Sequence, residues 1–332
     1  MSNRRFEKKT AKRERVPMLV GLIGPSGSGK TYSALRMASG MAEATGGRIV
    51  VIDTEARRAL HYADEFTFEH IDMGPPFSPL DYLEAIKFAV DRPDDILIVD
   101  SMSHEHEGQG GVLEMHAAEV ERMAGTNLKK AERVKFTAWI KPKQERRRLI
   151  NAVLQLGVNG IFCFRAKEKT KPVAGQQPVH LGWQPIAGEE FVFEMLVNVL
   201  LYPGAGGVPN WAPDESSEKI MLKLPKSLAH CFDPGKPISE ATGRAIAEWA
   251  QGPTEEHAAA FDEMAARLRA ASNRESLRSM WPEIQSDRWA RDESTRLIAI
   301  GMARAAELKQ QAPAAEVDPE TGEAIPPDAG IV

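Results

Sequence analysis

The sequence predicts an α/β fold: a mainly parallel sheet with helices on both faces, antiparallel strands at its edge, and a small helical module at the C-terminal end. Short apolar runs at residues 18–23, 48–53, 94–100 and 160–164 alternate with segments of helical periodicity, which is typical of a parallel sheet covered on both sides. Beyond residue 253 only helical spacing remains. A chain of 332 residues is long enough to bury a sizeable core.

The first apolar run stops at a glycine-rich segment with the spacing G-x-x-x-x-G-K-T, which is typical of a phosphate-binding loop. Its residues are Gly24, Pro25, Ser26, Gly27, Ser28, Gly29, Lys30 and Thr31. Glycines let backbone N–H groups surround a triphosphate, and the N-terminus of the following helix favours an anion. We expect Lys30 to reach the β- and γ-phosphates and the Thr31 hydroxyl to bind Mg²⁺.

The remaining elements of the sheet follow from apolar periodicity and from glycine and proline breakers. In chain order we predict a helix over residues 31–44, a strand over 48–53, a helix over 79–90, a strand over 94–100, helices over 112–123 and 142–156, and a strand over 160–164. The runs VNVLLYP and EKIMLKL within residues 197–224 flank a Gly/Pro turn, which predicts antiparallel strands at the sheet edge.

Composition then divides the chain into four parts. Residues 1–16 are predicted to be a flexible basic arm, and residues 17–251 form the α/β core, which ends with a capped helix over residues 239–250. Residues 254–310 form the helical module, with helices over 254–271, 274–285 and 289–310. Residues 311–332 are rich in proline and acid, contain no Lys or Arg, and are predicted to be disordered.

The sequence argues against a membrane protein. No apolar run approaches the roughly 18 residues that a bilayer span requires, and the basic start is not followed by the apolar region of a signal peptide. We therefore expect a soluble, cytoplasmic protein without a membrane partner. Cys163 and Cys231 are far apart, which suggests neither a disulfide nor zinc. The net charge is −5, but basic residues are concentrated in patches.

A phosphate-binding loop occurs in kinases, GTPases, motors and recombinases alike. The acidic residues at the ends of the other strands are therefore needed to distinguish these classes of protein. Asp100 closes the strand ILIVD, at the carboxyl end where ligands of open α/β sheets bind. This position suits an acid on the magnesium side of the site. Asp53, Thr54 and Glu55 end the earlier strand RIVVID, and Glu55 has the longer reach to hold and deprotonate an attacking water.

These motifs resemble those of RecA-type ATPases. VIDTEARRAL is similar to the segment that carries their catalytic glutamate, and ILIVDSMS is similar to their Walker B strand. Over residues 17–250 the chain resembles the phage-encoded, core-only RecA-like ATPases associated with single-strand annealing and recombination, often labelled AAA-family ATP-binding proteins. The C-terminal helical part loosely resembles small helical modules appended to phage recombination proteins.

The resemblance implies that Glu55 is the general base and Asp100 the magnesium-side acid, with ATP and Mg²⁺ as cofactors. It also implies ATP-dependent work on single-stranded DNA, in the cytoplasm of a bacterial host if the protein is phage-encoded. A ring or filament whose subunits share the ATP site is expected, together with a possible single-strand-binding or recombination partner.

RecA-like proteins carry a polar residue after the next motif strand that senses the γ-phosphate. Here the strand GIFCF is followed by Arg165, Ala166 and Lys167, without an Asn-Gln pair. Arg165 and Lys167 are the candidates for this sensing, or for a finger that reaches a neighbouring subunit's nucleotide.

Residues 104–111 and 165–183 are predicted loops that fall where RecA-like folds hold DNA. The second loop carries cations that suit several phosphates, namely Arg165, Lys167, Lys169, Lys171 and His180. Trp183 is predicted to stack on a base, and the alternative is a mobile surface loop whose Trp anchors to the core. The alternation in His104-Glu105-His106-Glu107 suggests metal ligands only for an extended segment, and no third ligand has motif spacing.

A second basic segment lies between residues 129 and 148. Its cations are Lys129, Lys130, Arg133, Lys135, Lys141, Lys143, Arg146, Arg147 and Arg148. This segment can be a solvated helix face, an inter-subunit surface or a direct DNA contact. The acidic C-terminal tail can in turn occupy a DNA site or dock a partner.

Two other functions stay open. The chain can be a loader or adaptor that uses ATP as a switch to recruit a replication or recombination partner, with little DNA affinity of its own. A small-molecule kinase would need a lid with several arginines over an acceptor pocket. The acids Asp53, Glu55 and Asp100 fit a motor-type site better.

Overall fold

The computed structural model describes residue 8, residues 14–171, residue 177 and residues 179–211, 222–252, 255–286, 288–289 and 291–311, with the backbone alone at residues 171, 179–181, 255, 291, 292 and 311. Most of the predicted basic arm and of the acidic tail lies outside these ranges. The chain divides into two compact units, Met1–Gly252 and Pro253–Val332. Within the described ranges, no helix combines the length and apolar content needed to cross a membrane.

A seven-stranded sheet forms the centre of the first unit. Its strands are β1 (Leu19–Gly24), β2 (Ile49–Asp53), β3 (Glu69–Asp72), β4 (Ile96–Asp100), β5 (Asn159–Lys171), β6 (Val179–Pro185) and β7 (Val197–Leu200). Their order is β3-β2-β4-β5-β1-β7, and β6 pairs with β5. All neighbours pair in parallel except β5 and β6. The mainly parallel α/β fold is therefore confirmed.

Helices cover both faces of this sheet. The helices of this unit are α1 (Lys30–Thr45), α2 (Pro79–Ala89), α3 (His104–Glu107), α4 (Val112–Ala124), α5 (Leu128–Val134), α6 (Ile140–Gln155), α7 (Glu189–Glu194) and α8 (Glu240–Gln251), with 3₁₀ helices at Arg58–Tyr62, Thr137–Trp139 and Lys226–Cys231. Adjacent side chains of β1 point to opposite faces. Leu22 packs in the core that includes α1 and α8, whereas Ile23 packs in the core that includes α2 and α6.

The second unit is helical and has an apolar core of its own. Its helices are α9 (Glu255–Ala270), α10 (Arg274–Ile284) and α11 (Arg291–Gln311). Leu268, Ile284 and Leu297 are fully buried, one from each helix. The helical spacing of the sequence predicted these elements because an amphipathic helix repeats its apolar positions every three or four residues.

Several local predictions need correction, and the first concerns residues 104–111, which begin with the short helix α3 and not with a loop. Residues 165–183 are not a long loop, because β5 continues to Lys171 and forms an antiparallel hairpin with β6. The outer part of β5 is exposed beyond Ala166 and therefore lacks the apolar alternation that marks a strand.

The predicted antiparallel strands at the sheet edge are confirmed only in part. The segment VNVL joins the sheet as β7, in parallel with β1. Antiparallel pairing near it is limited, in the described chain, to the bridges Asn198↔Lys223 and Leu200↔Asn210. An apolar run predicts a buried strand but not its direction. Most of EKIMLKL lies outside the described residues.

Candidate nucleotide site

The strand register brings the predicted site residues to one edge of the sheet. Gly24 at the end of β1 is level with Arg165, and Asp53 at the end of β2 is level with Asp100. A cleft of about 810 Å³ opens at this edge, and its lining includes Lys30, Thr31, Glu55, Asp100 and Arg165. Parallel strands thus place residues that are far apart in the chain beside one another.

The phosphate-binding loop has the backbone that an anion site needs. Gly27 and Gly29 have φ values of 77° and 89°, a left-handed conformation that other residues rarely adopt. Gly29 is the N-cap of α1, which has neither a side-chain cap nor an acid in its first turn. The positive end of the helix dipole therefore faces the cleft without a protein anion on its first turn.

Lys30 supplies a buried cation at the same point. Its Nζ donates hydrogen bonds to the backbone oxygens of Gly24 at 2.9 Å and Pro25 at 2.8 Å. The residue is 7% exposed, and the described part of the chain gives it no carboxylate partner. The buried Ser28 hydroxyl also has no hydrogen-bond partner there. A buried ammonium whose hydrogen bonds go to two backbone oxygens fits an anionic ligand such as a phosphate.

Thr31 and Asp100, the two predicted magnesium-side residues, are in contact. The Thr31 hydroxyl donates to Asp100 Oδ2 at 2.5 Å. Burial raises the pKa of Asp100 from 3.8 to about 6, although the Thr31 hydrogen bond acts in the opposite direction. A hydroxyl and a carboxylate are oxygen ligands of the kind that Mg²⁺ prefers. The two residues would hold Mg²⁺ at this position.

Glu55 lies on a turn after β2 that hydrogen bonds hold in place. Its backbone N–H donates to Asp53 Oδ1 at 2.8 Å, and its own Oε2 accepts a hydrogen bond from Arg58 Nη1 at 2.8 Å. Ala56 and Arg57 follow with positive φ values of 55° and 65°. Such a left-handed pair is uncommon for non-glycine residues and occurs where the surrounding structure holds the chain in place.

Asp53 has a structural role in that turn. Its Oδ2 accepts the backbone N–H of Ala59 at 2.9 Å and lies 3.3 Å from His70 Nε2. The side chain is thus used inside the turn, whereas Glu55 lines the cleft. The prediction that Glu55 is the general base agrees with this placement, and its catalytic role stays a prediction.

Several cleft residues were missed by the sequence analysis. Tyr32, His61 and Tyr62 form an aromatic wall, with the Tyr32 and Tyr62 rings 5.6 Å apart. The Tyr32 hydroxyl donates to Glu65 Oε1 at 2.6 Å. No motif points to these residues, although Tyr32 directly follows the loop threonine and His61 and Tyr62 lie shortly after Glu55.

His104 was also missed as a cleft residue. Thr54 Oγ1 donates to Ser101 O at 3.0 Å and accepts from Ser101 N at 2.8 Å. Its single proton is therefore used, and the 2.8 Å contact with His104 requires Nδ1–H of the ring to donate. Burial lowers the pKa of His104, which agrees with a neutral ring. His104 Nε2 is then an acceptor, 3.5 Å from Arg165 Nη1.

The structure separates the two sensor candidates. Arg165 lines the cleft, and its backbone N–H donates to Ser103 Oγ at 2.8 Å. Lys167 lies further along β5, and its Nζ is 3.9 Å from Glu107 Oε2. Glu107 Oε1 is also 3.9 Å from Arg165 Nη1, so this carboxylate lies between the two cations. Arg165 is therefore the candidate that the cleft favours.

The predicted DNA-binding residues lie on the hairpin. Lys169 is exposed on the outer part of β5, and Lys171 ends that strand, with only its backbone described. Trp183 of β6 is partly buried and packs against the core beneath the hairpin. This is the core-anchoring alternative, and base stacking by Trp183 stays a prediction that the packing does not favour.

The alternating histidines and glutamates of α3 do not converge on a metal. Glu105 forms a buried, two-pronged ion pair with Arg146 of α6, with both N–O distances at 2.9 Å. His106 Nδ1 accepts from Arg146 Nη2 at 2.9 Å, and burial lowers the pKa of His106 to about 4. Across the described residues, no group of three or more His, Cys, Asp or Glu side chains could hold a metal.

Comparison with known proteins places the chain in a family. A family model described as an AAA domain matches residues 17–202, more than half of the chain. No curated protein matches the chain. The matched residues contain the phosphate-binding loop, the Glu55 turn, the Asp100 strand and the hairpin. With this site geometry and this match, the chain belongs to the AAA-domain family of P-loop NTPases.

Proposed function

We propose that this protein is an ATPase that couples ATP hydrolysis to the binding of single-stranded DNA, and that it acts as an oligomer in recombination or annealing. One observation carries the proposal. Strand β5 is continuous from Arg165 in the cleft to the exposed cations Lys167 and Lys169. A change at the nucleotide therefore has a direct backbone route to a cationic surface.

The residues of the cleft divide the chemistry among them. Lys30 and the N-terminus of α1 bind the phosphates, and Thr31 and Asp100 hold Mg²⁺, which neutralises phosphate charge when bound. Glu55 accepts the proton of the attacking water. The ion pair with Arg58 orients its carboxylate. The wall formed by Tyr32 and Tyr62 suits an aromatic base.

Arg165 connects the cleft to the hairpin. Its guanidinium lies near His104 Nε2 and Glu107. A γ-phosphate is a stronger partner for a guanidinium than a neutral ring and a carboxylate at 3.9 Å. Arg165 would then move away from Glu107, and Lys167 would remain beside that carboxylate. The charge environment at the start of the hairpin would change.

The test measures ATP turnover with and without an oligo(dT) strand. The wild type is expected to be stimulated by the strand. Glu55→Gln should bind ATP normally while hydrolysis falls by a factor of about 100 or more, because only the base is lost. Glu121→Gln, an exposed acid on α4, is the matched control.

Normal hydrolysis in Glu55→Gln would place the base elsewhere. A wild-type rate that no concentration of single-stranded DNA changes would reject the coupling and favour the ATP-switched loader or adaptor.

A further inference from the structure

The segment from α5 to the first half of α6 carries a dense positive charge. Residues 128–148 contain nine Lys or Arg and two Glu, in a chain whose net charge is −5. We call the exposed side chains of this segment the basic surface. No residue of α5 is buried, so the whole helix contributes to it.

Most of these cations have no acidic partner. Lys135 pairs with Glu132, Lys141 pairs with Glu119, and Arg146 points inward to Glu105. The others are exposed, and no carboxylate in the described chain lies within ion-pair distance of them: Lys129, Lys130, Arg133, Lys143, Arg147 and Arg148. The protein itself therefore leaves this charge for solvent or a ligand.

An aromatic ring projects from the same surface. Phe136, two residues after α5, is 89% exposed, and Leu128 is 83% exposed. The turn that carries Phe136 is held in place, because Trp139 stacks on His116 at 4.0 Å and His116 Nε2 donates to Lys135 O at 2.9 Å. Phe136 is thus an exposed ring on a fixed turn among cations.

We propose that the basic surface binds single-stranded DNA, with phosphates on its unpaired cations and a base stacked on Phe136. This inference rests on the proposed function and gives it a second contact surface, on elements other than the hairpin. Unpaired cations beside an exposed aromatic ring are the two parts of a single-strand site.

The composition of the surface favours this occupant over a second copy of the chain. Lysine is depleted at the centre of protein–protein interfaces, and three of the six unpaired cations are lysines, namely Lys129, Lys130 and Lys143. A duplex keeps its bases stacked, so only a single strand offers a base face to Phe136.

The first experiment measures the salt dependence of binding to a labelled oligo(dT) strand, using the full-length protein. Lys129, Lys130 and Arg133 are changed together to Gln. The slope of log affinity against log salt should become shallower by about 2, because each phosphate that the protein neutralises on a single strand contributes about 0.7 to the slope. Basal ATPase should not change. Changing the exposed cations Lys87, Arg92 and Lys226 to Gln is the matched control.

The second experiment tests the ring. Phe136→Ala should weaken oligo(dT) binding by a factor of about 5 to 150, because base–aromatic stacking contributes about 1–3 kcal/mol per base. Phe136→Trp should restore the affinity. On an abasic strand of equal length, Phe136→Ala and wild type should bind alike. Phe193→Ala, at a ring that is 58% exposed on α7, is the control.

The outcomes separate this inference from the proposed function. A wild-type salt slope in the triple variant, or an equal loss for Phe136→Ala on abasic and oligo(dT) strands, overturns the inference while DNA coupling stands. A variant that changes the sedimentation of the protein but not its salt slope identifies a contact between copies instead, which also overturns it. If the wild-type protein binds no oligo(dT), both this inference and the proposed function are rejected.

Discussion

At the residue scale, the cleft contains two buried ionisable groups of opposite sign. Lys30 is buried with carbonyl partners, and Asp100 is buried with a raised pKa. Burial of the Asp100 carboxylate costs free energy, and the two groups suit the two charged parts of a magnesium nucleotide. Replacing either side chain should therefore impair function without reducing the stability of the fold.

Replacing Lys30 by Ala should remove nucleotide binding without harming the fold. The ammonium is the only part of the side chain with polar partners, and the variant no longer buries a charge at this position. Fluorescent-nucleotide binding should fall below detection, while the melting temperature without nucleotide stays equal or rises. Lys87→Ala, on α2, is the control. ATP affinity equal to that of the wild type would reject the assignment of the phosphate-binding loop.

Asp100→Asn should stabilise the nucleotide-free protein in a pH-dependent way. The folded-state pKa of about 6 lies above the ordinary value of 3.8, so the folded protein binds the proton more tightly than the unfolded chain. The stabilisation that this proton gives the wild type is complete below about pH 4 and is lost as pH rises through 6. At pH 7.5 the carboxylate then costs about 3 kcal/mol, since each pKa unit corresponds to about 1.4 kcal/mol.

Urea unfolding of both proteins at pH 5.0 and 7.5 measures this difference. The advantage of Asp100→Asn should be larger at pH 7.5, and Mg²⁺-dependent hydrolysis should be lost at both values. An advantage that does not change with pH would mean that the carboxyl is not desolvated as the structure indicates.

The site residues differ in how far the sequence could predict them. Lys30, Thr31 and Asp100 were predictable because phosphate and magnesium require these residue types at fixed spacing or at strand ends. Tyr32 and His104 were not, because their roles depend on which side chains meet across the cleft. Trp183 shows the same limit, since an aromatic residue in a basic segment suits stacking and core packing equally in the sequence.

At the scale of elements, the β5–β6 hairpin is the main departure from the sequence prediction. Apolar alternation identifies a strand only where one face of the strand packs against a core. The outer part of β5 has no such face. The strands over β1, β2, β4 and the inner part of β5 were predictable because both their faces are buried. The direction of β7 was not, because it is set by its neighbour.

The hairpin cations should carry DNA stimulation. Changing Lys167, Lys169 and Lys171 together to Gln should reduce the salt slope for oligo(dT) by up to about 2, because three phosphates are then no longer neutralised by the protein. Basal ATPase should largely survive because Arg165 stays in the cleft, whereas stimulation by DNA should disappear. The matched control changes Lys87, Arg92 and Lys226. A wild-type slope with full stimulation would leave the basic surface as the main DNA contact.

At the scale of the whole molecule, acid and base are separated along the chain. The C-terminal tail, residues 311–332, contains acids and no Lys or Arg. Removing residues 311–332 should raise the affinity for oligo(dT), most at low salt where screening is weakest. A variant with the tail acids changed to Asn and Gln separates charge from length. Affinity that is unchanged at every salt concentration would indicate a solubilising tail.

The buried pair of Glu105 and Arg146 connects α3, whose first residue His104 lines the cleft, with α6. Glu105 lies five residues after Asp100, and Arg146 belongs to the helix that carries part of the basic surface. Removing one partner, as in Arg146→Met, should destabilise the protein by about 3–5 kcal/mol, whereas Met at both positions leaves no buried charge unpaired.

If the pair transmits the state of the nucleotide to α6, the coupling between ATP binding and DNA binding must be reciprocal. The factor by which ATP tightens DNA binding must then equal the factor by which DNA tightens ATP binding. In the double Met variant both factors should fall to one together, while each ligand alone binds as before. Calorimetric titration of each ligand in the presence and absence of the other measures both factors, and a double variant that keeps them would place the communication elsewhere.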